Sequence, residues 1–385
     1  MSNSSQEFNT KYRLTQQDLR LLKVSPNHFN SFQITGKVSE LWKDTIKNFF
    51  KTPLALIATI VFILLLLTAI FTAAFSPFKT TEAIAGVDSE LVFSQKPGSW
   101  GIFENNISAD LLNKILKAQA DANVQLIHGS VEEIVPGRYL AHFNPYEVIS
   151  VLSQKQIFSI VGTDEFGRDI WLRTWVGTLN ALGISVIIAV IETIIGVALG
   201  TYLGYHIGKW IDNIFLRVID VFNSIPWIVI FVIFIGIFGP KTIVIIILLT
   251  ATGWTGPTYL ARSYTIIIKD EEYIQAAKAV GASKLRQIYS HILPNILGKL
   301  LSGFVSRLLS AISIIAGLAF LGFLKENLNS PANLGLIINS SRQLADSNIW
   351  ALLFPSFILV ILALSTRFIA NGIHDALDPR IGGRK

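Results

Sequence analysis

The segment GTDEFGRD, residues 162–169, concentrates carboxylates, an arginine and two glycines. Carboxylates at this spacing could hold a metal ion, and a glycine-containing loop could approach a nucleotide phosphate. We favour a structural role, in which Asp164 caps the helix expected to follow, Gly167 turns the chain, and Arg168 and Asp169 tie the segment together. The segment is therefore interpreted as scaffold at the outer rim of a helix bundle.

Residues for nucleotide hydrolysis and metal catalysis are missing. Gly-Lys pairs begin at residues 36, 208 and 298, but Val, Trp and Leu follow them where a phosphate-binding loop needs Ser or Thr. There is no His-Glu-x-x-His motif, the 6 histidines are scattered and cysteine is absent. We therefore expect no enzymatic activity, no cofactor and no metal site; a catalytic dyad inside a membrane helix is the remaining enzymatic alternative.

Two charged residues, Glu192 and Arg307, lie inside long apolar runs. A lone charge at mid-membrane depth costs at least ~2.5–3.5 kcal/mol on insertion scales, so each should face a bundle interior or a watered cavity and find a partner. The simplest partner for each is the other. Alternatively, Glu192 is protonated or meets a second subunit, and Arg307 lines a solvated pathway and meets a substrate carboxylate.

The elements that carry these residues are expected to be membrane helices. The chain has 385 residues, is 51% hydrophobic and is only 15% charged. A hydrocarbon core of ~30 Å is crossed by about 20 helical residues. Apolar runs of at least that order predict an all-α membrane protein with six transmembrane helices, at residues 51–78, 178–204, 214–238, 242–268, 295–323 and 349–373.

Lys and Arg are enriched in cytoplasmic loops, which predicts the orientation. With the N-terminus inside, the cytoplasmic segments 1–53, 205–213, 262–294 and 374–385 hold seventeen Lys and Arg, against three in the short outer loops 239–241 and 324–348. Residues 77–173, in contrast, carry twelve Asp and Glu against eight Lys and Arg. The acidic block is therefore expected outside, and the N- and C-termini inside.

Residues 272–294, EYIQAAKAVGASKLRQIYSHILP, form the most patterned cytoplasmic loop. Two stripes at helical spacing are predicted, one of Tyr273, Ala276, Ala277 and Val280 and one of Leu285, Ile288, Tyr289 and Ile292. Gly281 stands where a helix end needs a positive φ, Ser283 can cap the next helix, and Pro294 is expected to block its continuation.

Such a helical pair could lie on lipid headgroups or pack on the ends of its own spans. Lipid anchoring favours bulky apolar residues together with many cations, whereas Ala276, Ala277, Gly281 and Ala282 are small and suit close approach by a protein surface. We therefore interpret the loop as a docking element.

The loop resembles the coupling loop of permease subunits of binding-protein-dependent ABC importers. Their pattern is Glu-Ala-Ala, three residues, Gly, and further on Ile and Leu-Pro; here it reads Gln275, Ala276, Ala277, Gly281, Ile288, His291, Leu293 and Pro294. Gln275 departs from the usual Glu, so an ion pair with an ATPase at that position is not expected. The resemblance implies that these residues, with Tyr273, Val280 and Leu285, couple the chain to an ATPase.

Other segments are similar to oligopeptide, dipeptide and nickel permeases of the C type. They match in order and spacing as VGTDEFGRDIWLRTWVG (161–177), LRVIDVFNSIP (216–226), GWTGPTYLARS (253–263), LAFLGF (318–323) and DALDPR (375–380). The resemblance implies a homologous permease subunit, two cytoplasmic ATPase subunits and an extracytoplasmic substrate-binding protein as partners, in a lipid bilayer and without nucleic acid.

The expected layout has an insertion after the first span. A cytoplasmic segment (1–50) precedes the first transmembrane helix (51–78), followed by an extracytoplasmic domain (79–160), a five-helix core (161–374) with the coupling loop at 269–294, and a cytoplasmic tail (375–385). Residues 108–127 read as one helix within the insertion, which has enough apolar residues for a small core. The insertion is expected to contact the binding protein or to act as a lid.

These observations predict a permease subunit that imports peptides into the cell across the plasma membrane. Nickel or another small solute is the alternative cargo. An ion-driven secondary transporter is the rival class, and a scaffold protein a third; no inverted repeat is seen in the sequence, and a scaffold would leave the loop without a purpose.

Overall fold

The computed structural model describes residues 45–84, 101–324, 331–346 and 348–377. The division of the chain falls between residues 44 and 45, and the described residues all belong to the second unit, residues 45–385. The predicted segment 1–50 and tail 375–385 lie largely outside the described residues, as does the end of the DALDPR segment.

Long apolar helices make up most of the second unit. Helix α1 is Pro53–Phe75. After two short helices, α2 (Ala109–Ala122) and α3 (Pro145–Ser153), the chain forms the helices α4 (Ile170–Tyr205), α5 (Trp210–Ser224), α6 (Trp227–Phe238), α7 (Thr242–Gly253), α8 (Thr255–Ile268), α9 (Glu272–Ala279), α10 (Leu293–Phe320), α11 (Leu334–Ser341) and α12 (Ile349–Leu377).

Five helical stretches of the described chain are long and apolar enough to cross a membrane: Pro53–Phe75, Ile170–Tyr205, Thr242–Ile268, Lys284–Phe320 and Ile349–Leu377. The pair α5 and α6 counts as a sixth only if it forms one span, and it is bent by 75°. The bend lies at Pro226, which has no backbone N–H to donate and so interrupts the helical bonding. The structure confirms a mostly helical membrane fold, the predicted all-α class does not allow for the short sheet described below, and the count of six stays a prediction.

The second long helix begins earlier than the apolar run predicts. The run starts near residue 178, but α4 begins at Ile170 because Asp169 caps it and the amphipathic residues between them are also helical. This helix has 36 residues, so it is about 54 Å long and its first turns extend beyond a ~30 Å hydrocarbon core.

Glycines of α4 let it approach α8 closely. A Cβ at Gly196 would lie 2.9 Å from the backbone nitrogen of Thr258, and one at Gly204 would lie 2.8 Å from the Thr265 Cβ. Gly200, between them, faces Ala261 in the same way. The small residues at four-residue spacing therefore pack helices within the bundle, as their spacing predicts.

The segment between α1 and α4 contains a small α/β unit. Strands β1 (Phe103–Ser108), β2 (Glu132–Val135) and β3 (Arg138–Phe143) form an antiparallel sheet in the order β1-β3-β2. The predicted helix is α2, which is capped by Ser108 and ends at Ala122. Its buried Leu111, Leu112 and Ile115 pack with Phe143, Tyr146 and Ile149 in one apolar cluster. The strands were not predicted, since β2 is only four residues long and fully exposed.

Candidate functional site

Helix α9 ends in a turn whose backbone bonds satisfy its last carbonyls. Gly281 has φ +88°. Its N–H donates to the Lys278 carbonyl at 3.0 Å, and the N–H of Ala282 donates to the Ala277 carbonyl at 3.0 Å. This pair of bonds is the Schellman ending of a helix, which favours glycine because a Cβ is strained at positive φ. The predicted positive φ of Gly281 is confirmed.

The first predicted stripe lies on the exposed side of α9. The exposed fraction is 41% for Tyr273 and 86% for Val280, Ala276 and Gln275 are exposed, and Ala277 is half-buried. The residue that anchors α9 is Ile274, which is buried in a cluster with Ile292 and Ile296. The stripe is therefore available to a partner, and the buried contact comes from the residue beside it.

The prediction that the residues of the second stripe share one helix face is wrong. Ile288 and Ile292 are buried, whereas Leu285 and Tyr289 are exposed. The reason is that Gln287–Ile292 is π-helical, and its i→i+5 bonding changes the angle between successive side chains. Ser283 caps the preceding turn Lys284–Arg286 by accepting from the N–H of Arg286, as predicted.

Pro294 does not end the helix, contrary to the prediction. It lies in the first turn of α10, and Lys284–Phe320 is one continuous helical stretch. Pro294 has no N–H to donate, and the π-helical bonding just before it accommodates the missing donor. The Asn295 side chain donates to the His291 carbonyl at 2.7 Å. The loop is therefore joined to α10 without a hinge at Pro294.

Asp169, not Asp164, caps α4. A carboxylate oxygen of Asp169 accepts from the N–H of Leu172 at 2.8 Å, and the other accepts from the Ser159 hydroxyl at 2.7 Å. Asp164 instead closes the turn before the helix, where it accepts from the N–H groups of Phe166 and Arg168, each at 2.9 Å. Asp164 lies six residues before the first helical residue, Ile170, which is too far for a cap.

The rim segment is held together by buried charges. Arg168 Nε lies 2.8 Å from Asp164 Oδ2, and both side chains are buried. Gly167 has φ +72°, as its turn requires. Arg173 of α4 lies 3.4 Å from the same Asp164 oxygen and donates to the Thr80 carbonyl at 2.6 Å. The segment therefore ties the chain after α1 to the start of α4.

Burial changes the acidity of the capping carboxyl. Desolvation is the main cause that raises the pKa of Asp169 from 3.8 to about 6, and the neighbouring Asp164 charge raises it further, while the bonds from Ser159 and Leu172 oppose the shift. Tyr146 of α3 faces Asp169, and burial raises its pKa as well.

Glu192 and Arg307 are brought together as an ion pair. Arg307 Nε donates to Glu192 Oε2 at 2.7 Å, with 2% of the Glu192 side chain and 27% of the Arg307 side chain exposed. A Cβ at Gly253 would overlap the Glu192 carboxylate, and one at Gly256 would lie 3.6 Å from Arg307 Nη1. The pair therefore joins α4 to α10 and fills space left by glycines around the α7–α8 junction.

A cavity of about 220 Å³ lies beside this pair, between α4, α8 and α10. Arg307, Thr193 and Ser306 are its polar lining residues, and Pro257 and Phe304 are among the apolar ones. Arg307 therefore pairs with Glu192 and also borders a cavity. Its contact with a substrate carboxylate stays a prediction.

A second ion pair was missed by sequence reasoning. Arg262 of α8 binds Asp212 of α5 through two bonds, Nε to Oδ1 at 2.7 Å and Nη2 to Oδ2 at 2.8 Å. The N–H of Gly208 also donates to Asp212 at 3.0 Å. Charges at the ends of two neighbouring apolar runs were the available signal, but their distance in sequence hides the pairing.

Within the described ranges, no three His, Cys, Asp or Glu side chains are grouped so that they could hold a metal ion.

Two family descriptions match the chain. Residues 196–383 match the binding-protein-dependent transport system inner membrane component, and residues 40–97 match the N-terminal TM domain of oligopeptide transport permease C.

One curated relative extends the match over most of the chain. The chain is 32% identical to the oligopeptide transport system permease protein OppC of Mycoplasma pneumoniae, over 94% of this chain and 95% of that protein. It is 34% identical to the dipeptide transport system permease protein DppC of Bacillus subtilis, over 57% of this chain and 68% of the relative. A solved structure of inward-facing MetNI methionine ABC transporter is similar with a TM-score of 0.45 and 18% identity, covering 54% of this chain and 96% of that one.

By its sequence the chain belongs to the family of inner membrane components of binding-protein-dependent transport systems, in the group of the oligopeptide transport permease C proteins.

Proposed function

We propose that this chain is the membrane-spanning permease subunit of an ATP-driven importer that takes up oligopeptides or dipeptides delivered by an external binding protein. The names of its relatives, oligopeptide and dipeptide permeases, support the cargo class. The single observation that carries the proposal is the exposed stripe of Tyr273, Ala276 and Val280 on a helix whose other side is anchored in the bundle.

The proposed partners are a homologous permease subunit, two cytoplasmic ATPase subunits and an external substrate-binding protein. The chain lies in the plasma membrane with both termini in the cytoplasm, as its Lys and Arg distribution favours. Residues 269–294 then form the cytoplasmic coupling loop, and residues 79–160 lie outside, where the small α/β unit contacts the binding protein.

In this mechanism the subunit transmits movement from the ATPase to its own membrane helices. An ATPase takes the exposed apolar side chains of α9 into its surface and moves the loop when it binds or hydrolyses ATP. Because Lys284–Phe320 is one helical stretch, this movement passes directly into α10. It reaches α4 through the Glu192–Arg307 pair, which joins the two helices at 2.7 Å. Rearrangement of these helices alternates the access of the pathway.

Reconstitution tests the proposal. The complete complex is placed in proteoliposomes that contain ATP, and uptake of a labelled pentapeptide, a labelled dipeptide and nickel(II) is measured with and without the loaded binding protein. We expect peptide uptake that requires both ATP and the binding protein. Nickel uptake without peptide uptake would reassign the cargo, and uptake that follows an ion gradient without ATP would reject the transporter class.

A further inference from the structure

Gln287 bridges the coupling loop to the end of α4. Its side-chain Nε2 donates to the Ala282 carbonyl at 2.7 Å. Its Oε1 accepts from the hydroxyl of Tyr205, the last residue of α4, at 2.6 Å. Gln287 is buried, with 3% of the residue exposed, so water does not readily replace either partner.

The two ends of this bridge are well defined. Ala282 directly follows Gly281, and its own N–H closes the Schellman turn on Ala277. Tyr205 and Ile274 belong to one apolar cluster around Ile292 and Ile296. One amide therefore connects the turn after the exposed stripe with the helix that carries Glu192.

A neighbouring tyrosine gives a natural comparison. The Tyr289 hydroxyl also reaches α4, where it donates to the Ala198 carbonyl at 3.3 Å. This contact is longer, and Tyr289 is 40% exposed, so water can replace it at little cost. Loss of a bond between buried groups is more costly, because the partner remains desolvated.

We propose that Gln287 and Tyr205 are positioning residues that fix the coupling loop to α4, so that displacement of the exposed stripe moves α4 together with α10. Without the bridge, the Tyr205 end of α4 would no longer be held to the loop, and the Glu192–Arg307 pair would still join α4 to α10. The inference rests on the proposed function, since it names the residues that transmit ATPase movement within the permease.

The test uses Tyr205→Phe, Gln287→Met and the double variant in the full complex, with Tyr289→Phe as the matched control. We expect peptide uptake per ATP hydrolysed to fall about threefold to tenfold in each single variant, which is the range of one buried hydrogen bond. The double variant should be little worse than the worse single one, because both remove the same link. ATPase binding should be unchanged, since the exposed stripe is intact.

A distance measurement separates transmission from a general loss of stability. The chain has no cysteine, so spin labels on Lys278→Cys and Ile207→Cys, two exposed positions on the loop and just after α4, report one distance. In the otherwise native chain this distance should stay constant between the ATP-bound and nucleotide-free complex. In Tyr205→Phe, which keeps the aromatic ring but lacks the hydroxyl, the distribution of this distance should broaden, or its mean should change when nucleotide binds.

Native uptake per ATP in both single variants, or an unchanged narrow distance in Tyr205→Phe, would overturn the inference while leaving the proposed function intact. A loss of ATPase binding that parallels the loss of uptake would also overturn it, because the residues would then support docking. If the native complex shows no ATP-dependent uptake, the proposed function itself fails.

Discussion

At the scale of single residues, partners from distant parts of the chain decide how the buried charges behave. Glu192 and Arg307 are far apart in sequence, yet the cost of a lone charge at that depth was enough to suggest their pairing. The Asp212–Arg262 pair had no such signal, because charges at span ends can reach water or headgroups without a partner. A charged residue therefore suggests a specific partner when it lies deep inside an apolar run, and not when it lies at the end of one.

We expect the Glu192–Arg307 pair to show strong coupling in a double-mutant cycle. Arg307→Gln leaves the buried charge of Glu192 unpaired, and breaking a buried ion pair from one side costs about 3–5 kcal/mol. Glu192→Gln should cost less, because 27% of the Arg307 side chain is exposed. The double variant leaves two neutral amides and should be milder than the sum of the single losses. Amides are preferred to charge reversal because Gln keeps the size of Glu at position 192, where the carboxylate lies directly against Gly253.

The cycle is measured as the thermal midpoint and the yield of the assembled complex. Exposed Arg217 provides the control, since Arg217→Gln removes a cation at a surface position of α5 and should change stability by no more than about 0.5 kcal/mol. Additive losses in the double variant would mean that the two residues do not stabilise each other.

Asp169 should make stability fall as the pH rises from about 4 to 6. The folded protein has a pKa of about 6 for this acid against an ordinary value of 3.8, so the folded state binds the proton more tightly within that window. The contribution is lost through the window and stays constant above it, with a size on the order of 3 kcal/mol. Asp169→Asn keeps a capping side chain and should remove this slope.

Thermal midpoints of the native protein and Asp169→Asn, compared from pH 4 to pH 7, check this prediction. Tyr146, which faces position 169, stays protonated over this range in both proteins because burial raises its pKa. Parallel profiles for the two proteins would show that Asp169 titrates at its ordinary pKa.

At the scale of elements, local rules predict some features of the loop and fail at others. The positive φ of Gly281 and the cap by Ser283 follow from residue preferences that act within one helix end. The continuation through Pro294 does not, because it depends on a π-helical stretch that tertiary packing of Ile288 and Ile292 stabilises. The same limit explains the strands β1–β3, which are short and depend on pairing across the segment.

Gly281→Val should weaken coupling. A β-branched residue at φ +88° is strained, and left-handed backbone costs roughly 1–2 kcal/mol for residues other than glycine. Gly281→Asn should be better tolerated, because Asn is the common substitute at helix ends of this type. Substrate-stimulated ATP hydrolysis and peptide uptake in proteoliposomes measure both variants.

Gly183→Val is the control for this series. Gly183 lies in α4 with nothing within 4 Å of an added Cβ and without a positive φ, so its replacement should leave coupling unchanged. Native coupling in Gly281→Val would show that the turn geometry is not needed for transmission.

At the scale of the whole molecule, the order of the apolar runs predicts the membrane fold, and the long acidic stretch between the first two runs predicts the extracytoplasmic domain. The sequence shows that residues 79–160 can form a core, and the structure has one around Ile115 and Phe143. The partner of residues 79–160 could not be predicted from the sequence in the same way, because a recognition surface is exposed and has no periodic pattern.

Deletion of residues 85–155 should weaken capture of the loaded binding protein. The helices of the bundle and the rim segment 162–169 remain, so the shortened chain should still assemble with the ATPase subunits and keep basal ATP hydrolysis. Binding to the complex in membranes is measured by pull-down. An unchanged affinity would mean that the segment acts only as a lid.

The most direct measurement of the central claim is site-specific photo-crosslinking from the exposed stripe. A photoreactive amino acid replaces Val280, which is 86% exposed, and in a separate chain Val186, which is exposed on the apolar helix α4. We predict that position 280 forms an adduct with the ATPase subunit in the transport-active complex and that position 186 does not. A transport-active complex in which position 280 gives no ATPase adduct would contradict the account.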